Sequence, residues 1–289
     1  MDTALWNLLQ AKIRLTGIED LRNLKASEVT LTRLASRSNQ VYRVSAAQAS
    51  WIVRIPGDTQ GTTVERNSEF ENYRVLQNVP IAEQPLHVSR DGLLVFRESA
   101  GSRLLQKSDL DTDHIFNRLV ECFCRLNAAA IPFHNRFDPR GCLKLYCRDL
   151  ENDGRDIPAP IRELLSFQAR AEALYQPLGQ APCHGDPHCG NALLHPDGSI
   201  SLLDWEYAST APALWDLSLL SLMEDFSIGQ DKAMLDTAKQ PADRLPAFHA
   251  TRFMAALVLL LWERLHSGCH TQMAKLTERA LFDHKEIFG

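Results

Sequence analysis

Polar residues capable of chemistry are concentrated between Cys183 and Glu206, where the sequence reads CHGDPHCGNALLHPDGSISLLDWE. This segment contains three histidines, two cysteines, three aspartates, one glutamate and one asparagine. Side chains of these types can bind zinc, carry out a hydrolysis or bind another ion. Their spacing distinguishes among these possibilities.

The segment HPDG lies between the apolar runs ALLH and SISLLD and predicts a β-hairpin over residues 192–203. If Asp197 and Gly198 are the two central turn residues, Asn191 lies directly opposite Asp204. Opposed side chains have Cβ atoms about 4.5–5.5 Å apart, so an amide oxygen and a carboxylate can converge on one ion. Two hard oxygen ligands, with room for water and phosphate oxygens, are typical of Mg²⁺. A longer turn shifts the pairing by one residue.

Asp186 lies on the loop that enters this hairpin, five residues before Asn191. A carboxylate there can accept the proton of an attacking hydroxyl while a neighbouring ion neutralises phosphate charge. The spacing therefore favours phosphoryl transfer. A metal-dependent hydrolase would use the same carboxylates on water, and the sequence leaves that alternative open.

A zinc site is another alternative for this segment. Suitable ligand atoms belong to Cys183, His184, His188 and Cys189. Their spacing matches no standard zinc motif. We therefore interpret His184 as a residue that fixes the loop by hydrogen bonds, and His188 as a loop residue near substrate or solvent.

The elements that must position these residues differ between the two parts of the chain. After a leading helix over residues 1–25, three short stretches rich in β-branched and aromatic residues predict antiparallel strands: VTLTRLASR, NQVYRVSAA and SWIVRIPG. The segment 62–79 predicts a surface helix, and GLLVFRES predicts a further strand. Beyond Ala100, apolar residues spaced by three and four predict helices at DHIFNRLVECFCRLNAAA, IRELLSFQARAEALY, ALWDLSLLSLMEDF and 246–266.

These patterns predict an α+β protein with two lobes. We expect a small N-terminal lobe, residues 1–97, in which an antiparallel sheet and a helix lie between about 26 and 97. A larger helical C-terminal lobe, residues 98–289, then carries the polar segment and its hairpin.

Composition and charge restrict the partners. The chain of 289 residues is 45% hydrophobic and 23% charged, as in ordinary globular proteins. A net charge of −5 and a pI near 6.1 argue against nucleic acid and favour a cationic or small neutral partner.

Cysteine usage and hydropathy indicate the compartment. Seven cysteines, an odd number in a chain of this length, do not form a secreted disulfide framework, and the N-terminus lacks a signal-peptide pattern. The longest apolar run, Phe253–Trp262, is shorter than the roughly 20 residues of a membrane span. We expect a cytoplasmic protein without a membrane span, in which this run is a buried helix.

The pattern H-G-D-x-x-x-x-N over residues 184–191, followed by D-W-E at 204–206, resembles the catalytic loop and metal-binding motif of the aminoglycoside phosphotransferase and choline kinase superfamily. These enzymes are relatives of the protein kinases. Arg54 in WIVRIPG resembles the phosphate-contacting cation of their third strand, and Glu69 in ERNSEFENY resembles its helix partner. Asp216 in APALWDLSLL resembles the acidic residue that follows the metal motif. The resemblance covers residues 29–220 and is greatest to bacterial choline kinases, with thiamine kinases close behind.

The resemblance implies a two-lobed protein-kinase-like fold with ATP in the cleft, its adenine against the linker near residues 96–99. Mg²⁺ is expected on Asn191 and Asp204, with Asp186 orienting and deprotonating an alcohol acceptor. Glu206 and Asp216 are expected behind the metal ligands or facing the substrate. The implied reaction converts ATP and a small alcohol, with choline as the expected acceptor, into ADP and a phosphate monoester. Thiamine and aminoglycosides are alternative acceptors.

The loop between the first two strands departs from the family pattern. It reads LASRSNQ and lacks the glycines that let backbone N–H groups approach phosphates. Ser38 and Asn39 tolerate turn geometry, and we expect them near the nucleotide. A nucleotide-binding pseudokinase would explain the missing glycines, but intact Asp186 and Asn191 argue against it.

Aromatic residues near acidic ones suggest a cationic acceptor. Trp205, Trp215 and Trp262 lie close in sequence to Glu206, Asp216 and Glu263. A quaternary ammonium binds aromatic faces without hydrogen bonds. Trp262 is therefore a candidate for half of a cation cage, although a tryptophan at the end of so apolar a helix is more often a core residue.

Overall fold

The computed structural model describes residues 3–35, 39–57, 66–77, 79–266 and 269–289. The part of the chain up to Arg97 is built around one sheet. Its elements are α1 (Thr3–Ile13), α2 (Glu19–Arg22), β1 (Thr30–Leu34), β2 (Gln40–Ser45), β3 (Ser50–Ile55), α3 (Arg66–Val75), β4 (His87–Val88) and β5 (Leu94–Arg97).

The sheet is antiparallel with strand order β1-β2-β3-β5-β4. This confirms the four predicted strands, β1, β2, β3 and β5, whereas β4 was not predicted. Side chains alternate between its faces along β3. Trp51 and Val53 pack with Trp6 of α1 in one buried cluster, whereas Ile52 packs against the main core on the other side. Arg54 shares the face of Ile52, so the period of the strand directs it away from α1 and toward α3.

One detail of this lobe differs from the prediction, and another is untested. The leading helix is not continuous over residues 1–25, because Gly17, with φ of +73°, separates α1 from α2. A residue in the left-handed region ends a helix, and glycine adopts it without a Cβ clash. Ser38 of the first loop lies outside the described residues.

Helices dominate the rest of the chain, together with short strands around the polar segment. The elements are β6 (Arg103–Leu104), α4 (Asp113–Ala128), α5 (Pro139–Asn152), α6 (Ala159–Leu165), α7 (Gln168–Tyr175), β7 (Gln180–Cys183), β8 (Ala192–Leu194), β9 (Ile200–Leu202), β10 (Ser209–Pro212), α8 (Trp215–Met223), α9 (Ile228–Thr237), α10 (Leu245–His266) and α11 (His270–Phe288).

Helix α10 is the centre of this helical part. The helical span Ala242–His266, which includes α10, is long and apolar enough to cross a membrane, but 72% of its most apolar stretch is buried inside the molecule. Its Arg252 is fully buried, and donates to Asp283 at 2.9 and 2.6 Å and also to Asp231. Buried charges are tolerated when they are paired in this way.

The two parts of the chain are joined by backbone pairing. The Glu83 N–H donates to the Leu202 carbonyl at 3.0 Å, and the Leu202 N–H donates to the Ile81 carbonyl at 2.7 Å. The segment that follows α3 therefore pairs with β9 of the hairpin. This contact fixes the sheet relative to the polar segment.

The segment predicted as one helix over 161–175 is two helices, α6 and α7, separated at Ser166 and Phe167. Helices α5, α9 and α11, and the pairing of β7 with β10, were not predicted. Strand β7 has the sequence QAPC, which is short, contains proline and has no alternation to indicate a strand.

Candidate active site

The catalytic loop begins where β7 ends and is fixed by His184. The imidazole of His184 is fully buried, with Nε2 2.7 Å from the Leu203 carbonyl oxygen. Its Nδ1 accepts the Asp186 N–H at 3.3 Å, and its ring packs on Trp205 with centroids 4.7 Å apart. Both ring nitrogens therefore bind backbone groups, one in the loop and one just after β9.

Asp216 and Gly185 set the path of the same loop. The Asp216 carboxylate accepts the N–H groups of His184 at 2.7 Å and Gly185 at 3.0 Å. Burial raises the pKa of Asp216 despite these partners. Gly185 has φ of +82°, and a Cβ there would lie 2.4 Å from the Tyr207 carbonyl oxygen, so only glycine fits.

The Asp186 carboxylate is held by two side chains on one oxygen. Asn191 Nδ2 donates to Asp186 Oδ2 at 2.8 Å, and His188 Nε2 lies 3.3 Å from the same oxygen. Burial alone raises the pKa of Asp186, but hydrogen bonds and charge from His188, with help from His184 and Asn191, lower it below its usual value. Asp186 is thus a carboxylate at neutral pH, and 27% of its side chain is exposed.

The predicted opposition of Asn191 and Asp204 is wrong by one residue. Ala192 pairs with Leu202, and the Leu203 N–H donates to the Asn191 carbonyl at 2.8 Å, so Asn191 lies opposite Leu203. The turn is a three-residue loop, residues 196–198, that ends at Gly198 with φ of +78°. The longer of the two possible turns has formed.

The side-chain amide of Asn191 has a defined orientation. Its Nδ2 donates to both the carbonyl oxygen of Asp186, at 3.0 Å, and the carboxylate of that residue. Two acceptors on one side require the NH₂ group there, so Oδ1 points elsewhere. An amide oxygen presented in this way is a donor of the kind that Mg²⁺ binds.

Arg54 joins the sheet to the polar segment. Its guanidinium is almost fully buried, pairs with Glu69 of α3 through Nη2, and reaches Asp204 Oδ1 through Nη1 at 2.5 Å. Glu206 Oε2 is 3.9 Å from Nη1. Although burial alone lowers the pKa of Arg54, the charges of Asp204 and Glu69 raise it above its usual value.

Asp204 has a strained backbone next to this cluster, with φ of 63° and ψ of 70°. Residues other than glycine rarely adopt this conformation, and it is found where surrounding structure enforces a functional geometry. Carboxylate oxygens of Glu69, Asp204 and Glu206 lie within 4.8 Å of one another, and among the described residues this is the group whose spacing suits a metal ion. No such group includes the histidines and cysteines of the alternative zinc site within that part of the chain.

Helix α3 is anchored so that Glu69 meets Arg54. Asn72, one turn further along α3, is fully buried and donates to the carbonyl oxygens of Trp205 at 3.3 Å and Ala208 at 2.8 Å. The helix is therefore tied to the D-W-E turn itself. This tie gives the Arg54–Glu69 pair a fixed position, unlike a surface salt bridge.

Two further predicted site residues, Asn39 and Trp262, make contacts with other parts of the chain. Asn39 is buried, and its side-chain oxygen accepts the Gly57 N–H at 3.3 Å, linking the first loop to the segment after β3. Its contact with nucleotide stays a prediction. Trp262 packs against the main core and stacks on His266, with ring centroids 4.7 Å apart.

The aromatic cage inferred from sequence is wrong for two of its three residues. Trp205 is fully buried between His184 and Phe133, and Trp215 is buried against Phe137. Their faces pack in the core and cannot receive a cation. Trp205 and Trp215 therefore give no support for a quaternary ammonium site.

Glu224 is a functional candidate that sequence reasoning missed. It lies just beyond α8, is buried, and accepts the Cys189 N–H of the catalytic loop at 2.7 Å. Thirty-five residues separate the two partners, and no motif marks the pair. The contact between Glu224 and Cys189 is formed by folding and could not be inferred from the sequence.

We expect Glu224→Ala to destabilise the protein by about 1–3 kcal/mol, because the buried Cys189 N–H loses its acceptor. Glu224→Gln keeps a carbonyl oxygen in place and should remain close to wild type. Urea unfolding of both variants, with the exposed Glu278→Ala as a control, measures the difference. Equal stability of the alanine and glutamine variants would show that this contact contributes nothing.

Comparisons with known proteins identify the family. The sequence model described as the phosphotransferase enzyme family matches residues 30–253, more than half of the chain. The chain belongs to this family. The match includes Arg54, the catalytic loop and the D-W-E turn. A search of curated protein sequences found no match.

Solved structures place this phosphotransferase in the protein-kinase-like fold. A choline/ethanolamine kinase family protein from Mesorhizobium loti has a TM-score of 0.78 at 24% identity, covering 98% of this chain and 95% of the other. Choline kinase LicA from Streptococcus pneumoniae gives 0.80 at 19% identity, covering 98% and 100%, and LicA in complex with AMP gives 0.75 at 19%, covering 97% and 98%. Macrolide 2'-phosphotransferase MphH from Brachybacterium faecium gives 0.64 at 16%, covering 95% and 97%. The predicted α+β, two-lobed fold and the phosphotransferase activity are confirmed.

Proposed function

We propose that this phosphotransferase transfers the γ-phosphate of ATP to the hydroxyl group of a small cationic alcohol in the cytoplasm, with Asp186 as the general base. The observation that carries the proposal is the Asp186 carboxylate, which Asn191 and His188 hold in its charged form with part of its surface open. In the reaction, the alcohol oxygen bonds to the γ-phosphorus and the bond to the ADP oxygen breaks. The hydroxyl proton passes to Asp186.

Nucleotide and metal would be held by the cluster between the two lobes. Asn191 and Asp204 offer hard oxygen donors that suit Mg²⁺, which when bound would neutralise phosphate charge. Arg54 offers a buried guanidinium whose orientation is fixed by Glu69, and such a fork suits phosphate oxygens. Likeness to a structure that contains AMP supports a nucleotide site in this cleft.

Choline is the acceptor that we propose. The net charge of −5 favours a cation, and two of the similar structures are named for choline or ethanolamine as substrate. The sequences around Arg54 and the D-W-E turn also resemble those of bacterial choline kinases, which favours choline as the acceptor. Thiamine carries a permanent cation beside a primary alcohol and is the alternative that is chemically most similar.

Choline should exceed ethanolamine in kcat/KM by at least about tenfold, equivalent to about 1.4 kcal/mol of transition-state binding. A primary amine requires desolvated acceptors for its N–H groups, whereas a quaternary ammonium does not. An ADP-release assay with choline, ethanolamine, thiamine, homoserine and kanamycin measures the preference. A clear preference for any acceptor other than choline would refute choline as the substrate but would still support a kinase reaction.

The same assay separates two other classes of function. A metal-dependent hydrolase would release inorganic phosphate without an acceptor. A pseudokinase would bind nucleotide in a thermal-shift measurement and give no turnover with any acceptor. The intact set of Asp186, Asn191 and Asp204 argues against both outcomes.

A further inference from the structure

Both ring nitrogens of His188 have assigned partners in the catalytic loop. Nδ1 accepts the Gly190 N–H at 3.0 Å and caps the short turn that ends at Asn191. Nε2 lies 3.3 Å from Asp186 Oδ2. The side chain is one-third exposed, so it lies at the protein surface rather than in the core.

The backbone contact determines which nitrogen carries the proton. A backbone N–H can only donate, so Nδ1 must present its lone pair to Gly190. The proton of the neutral ring is then on Nε2, which donates to the Asp186 carboxylate. The turn at residues 189–191 therefore selects the tautomer that binds Asp186.

Two donors converge on a single oxygen of Asp186. Asn191 Nδ2 and His188 Nε2 both reach Oδ2, and among the described contacts none involves Oδ1. The carboxylate is thereby prevented from rotating about its Cβ–Cγ bond. Oδ1 is left as the oxygen that can accept a proton from outside the loop.

We propose that His188 is a positioning residue that, together with Asn191, turns Asp186 so that Oδ1 faces the acceptor hydroxyl. This inference rests on the proposed role of Asp186 as the base. Because Asn191 is also expected to hold the metal, His188 is the partner whose contribution to Asp186 can be removed separately. Misplacement of a reacting group by about 1 Å can cost 10²-fold in rate.

Two substitutions distinguish the positioning of Asp186 by His188 from the capping of the Gly190 N–H by the same side chain. His188→Asn keeps an oxygen near the position of Nδ1, suited to the Gly190 N–H, but is too short to reach Asp186. His188→Gln places an amide nitrogen near the position of Nε2 and loses the acceptor for Gly190. The exposed His114→Asn is the matched control.

We expect His188→Asn to lower kcat by about 10- to 100-fold with little change in KM for ATP or acceptor and no change in urea midpoint. His188→Gln should retain most of the wild-type kcat and have a lower urea midpoint. The proposal is overturned if His188→Asn keeps wild-type kcat, if both variants lose kcat equally, or if the loss lies in KM.

A double substitution identifies the residue through which His188 acts. In the Asp186→Asn background, adding His188→Asn should change kcat by less than about twofold, because the group to be positioned has already been removed. Independent losses that multiply would overturn the proposal. If Asp186→Asn alone keeps wild-type activity, the proposed base is wrong, and His188 has nothing to position.

Discussion

Replacing Asp186 by asparagine is expected to lower kcat by about 10²- to 10⁴-fold, the usual contribution of a general base. Asparagine keeps the size of the side chain and an oxygen for the Asn191 amide, so the loop should retain its structure. It cannot accept the proton of the alcohol. Nucleotide affinity and the urea midpoint should therefore remain close to wild type while turnover falls.

The exposed Asp243→Asn is the matched control for this substitution, since it removes one carboxylate from the surface of the same lobe. Steady-state kinetics with ATP and choline, together with nucleotide titration, measure both properties. An Asp186→Asn protein with the kcat of the control would remove Asp186 from the mechanism.

Replacing Arg54 by alanine should destabilise the protein by about 3–5 kcal/mol, as expected when one partner of a buried ion cluster is removed. The guanidinium is the cation shared by Glu69 and Asp204, with Glu206 beside it. Without it, these carboxylates lie close together without compensation. The apparent KM for ATP should also rise, because the proposed phosphate contact is lost.

Arg43→Ala provides the comparison on the neighbouring strand β2. Arg43 pairs with Glu98, but its side chain is 41% exposed, and such pairs contribute about 0–1 kcal/mol. Urea unfolding of the two variants should therefore differ by several kcal/mol. Equal losses for Arg54→Ala and Arg43→Ala would show that the cluster has no special role in stability.

The sheet was predictable because its signal is local. The strands are short, rich in β-branched and aromatic residues, and separated by small polar residues. Because side chains alternate between the two faces of a strand, Arg54 lies on the same face as Ile52. Its partnership with Glu69 came from the family motif, whereas the shared contact with Asp204 depends on how the two lobes meet.

The register of the hairpin could not be predicted from the local sequence alone. The sequence HPDG is compatible with a two-residue or a three-residue loop, and the difference moves Asn191 from Asp204 to Leu203. The structure has a three-residue loop closed by Gly198 in the left-handed region. The identity of the turn residues did not determine its length.

Tryptophan was the residue type most easily misassigned. Trp205 and Trp215 are adjacent in sequence to acidic residues, yet their rings pack in the core. Sequence proximity to a carboxylate does not indicate which face of a ring is open, since burial depends on distant partners such as Phe133 and Phe137. The long-range contact of Glu224 with Cys189 was invisible for the same reason.

Phosphorus NMR of the wild-type protein with Mg²⁺, ATP and choline tests the central claim most directly, because it identifies both products. We predict a phosphate monoester that accumulates in equal amount to ADP and is absent with Asp186→Asn. Formation of inorganic phosphate and ADP without a monoester would contradict transfer to an alcohol. Equal monoester formation by wild-type and Asp186→Asn proteins would contradict the role of Asp186.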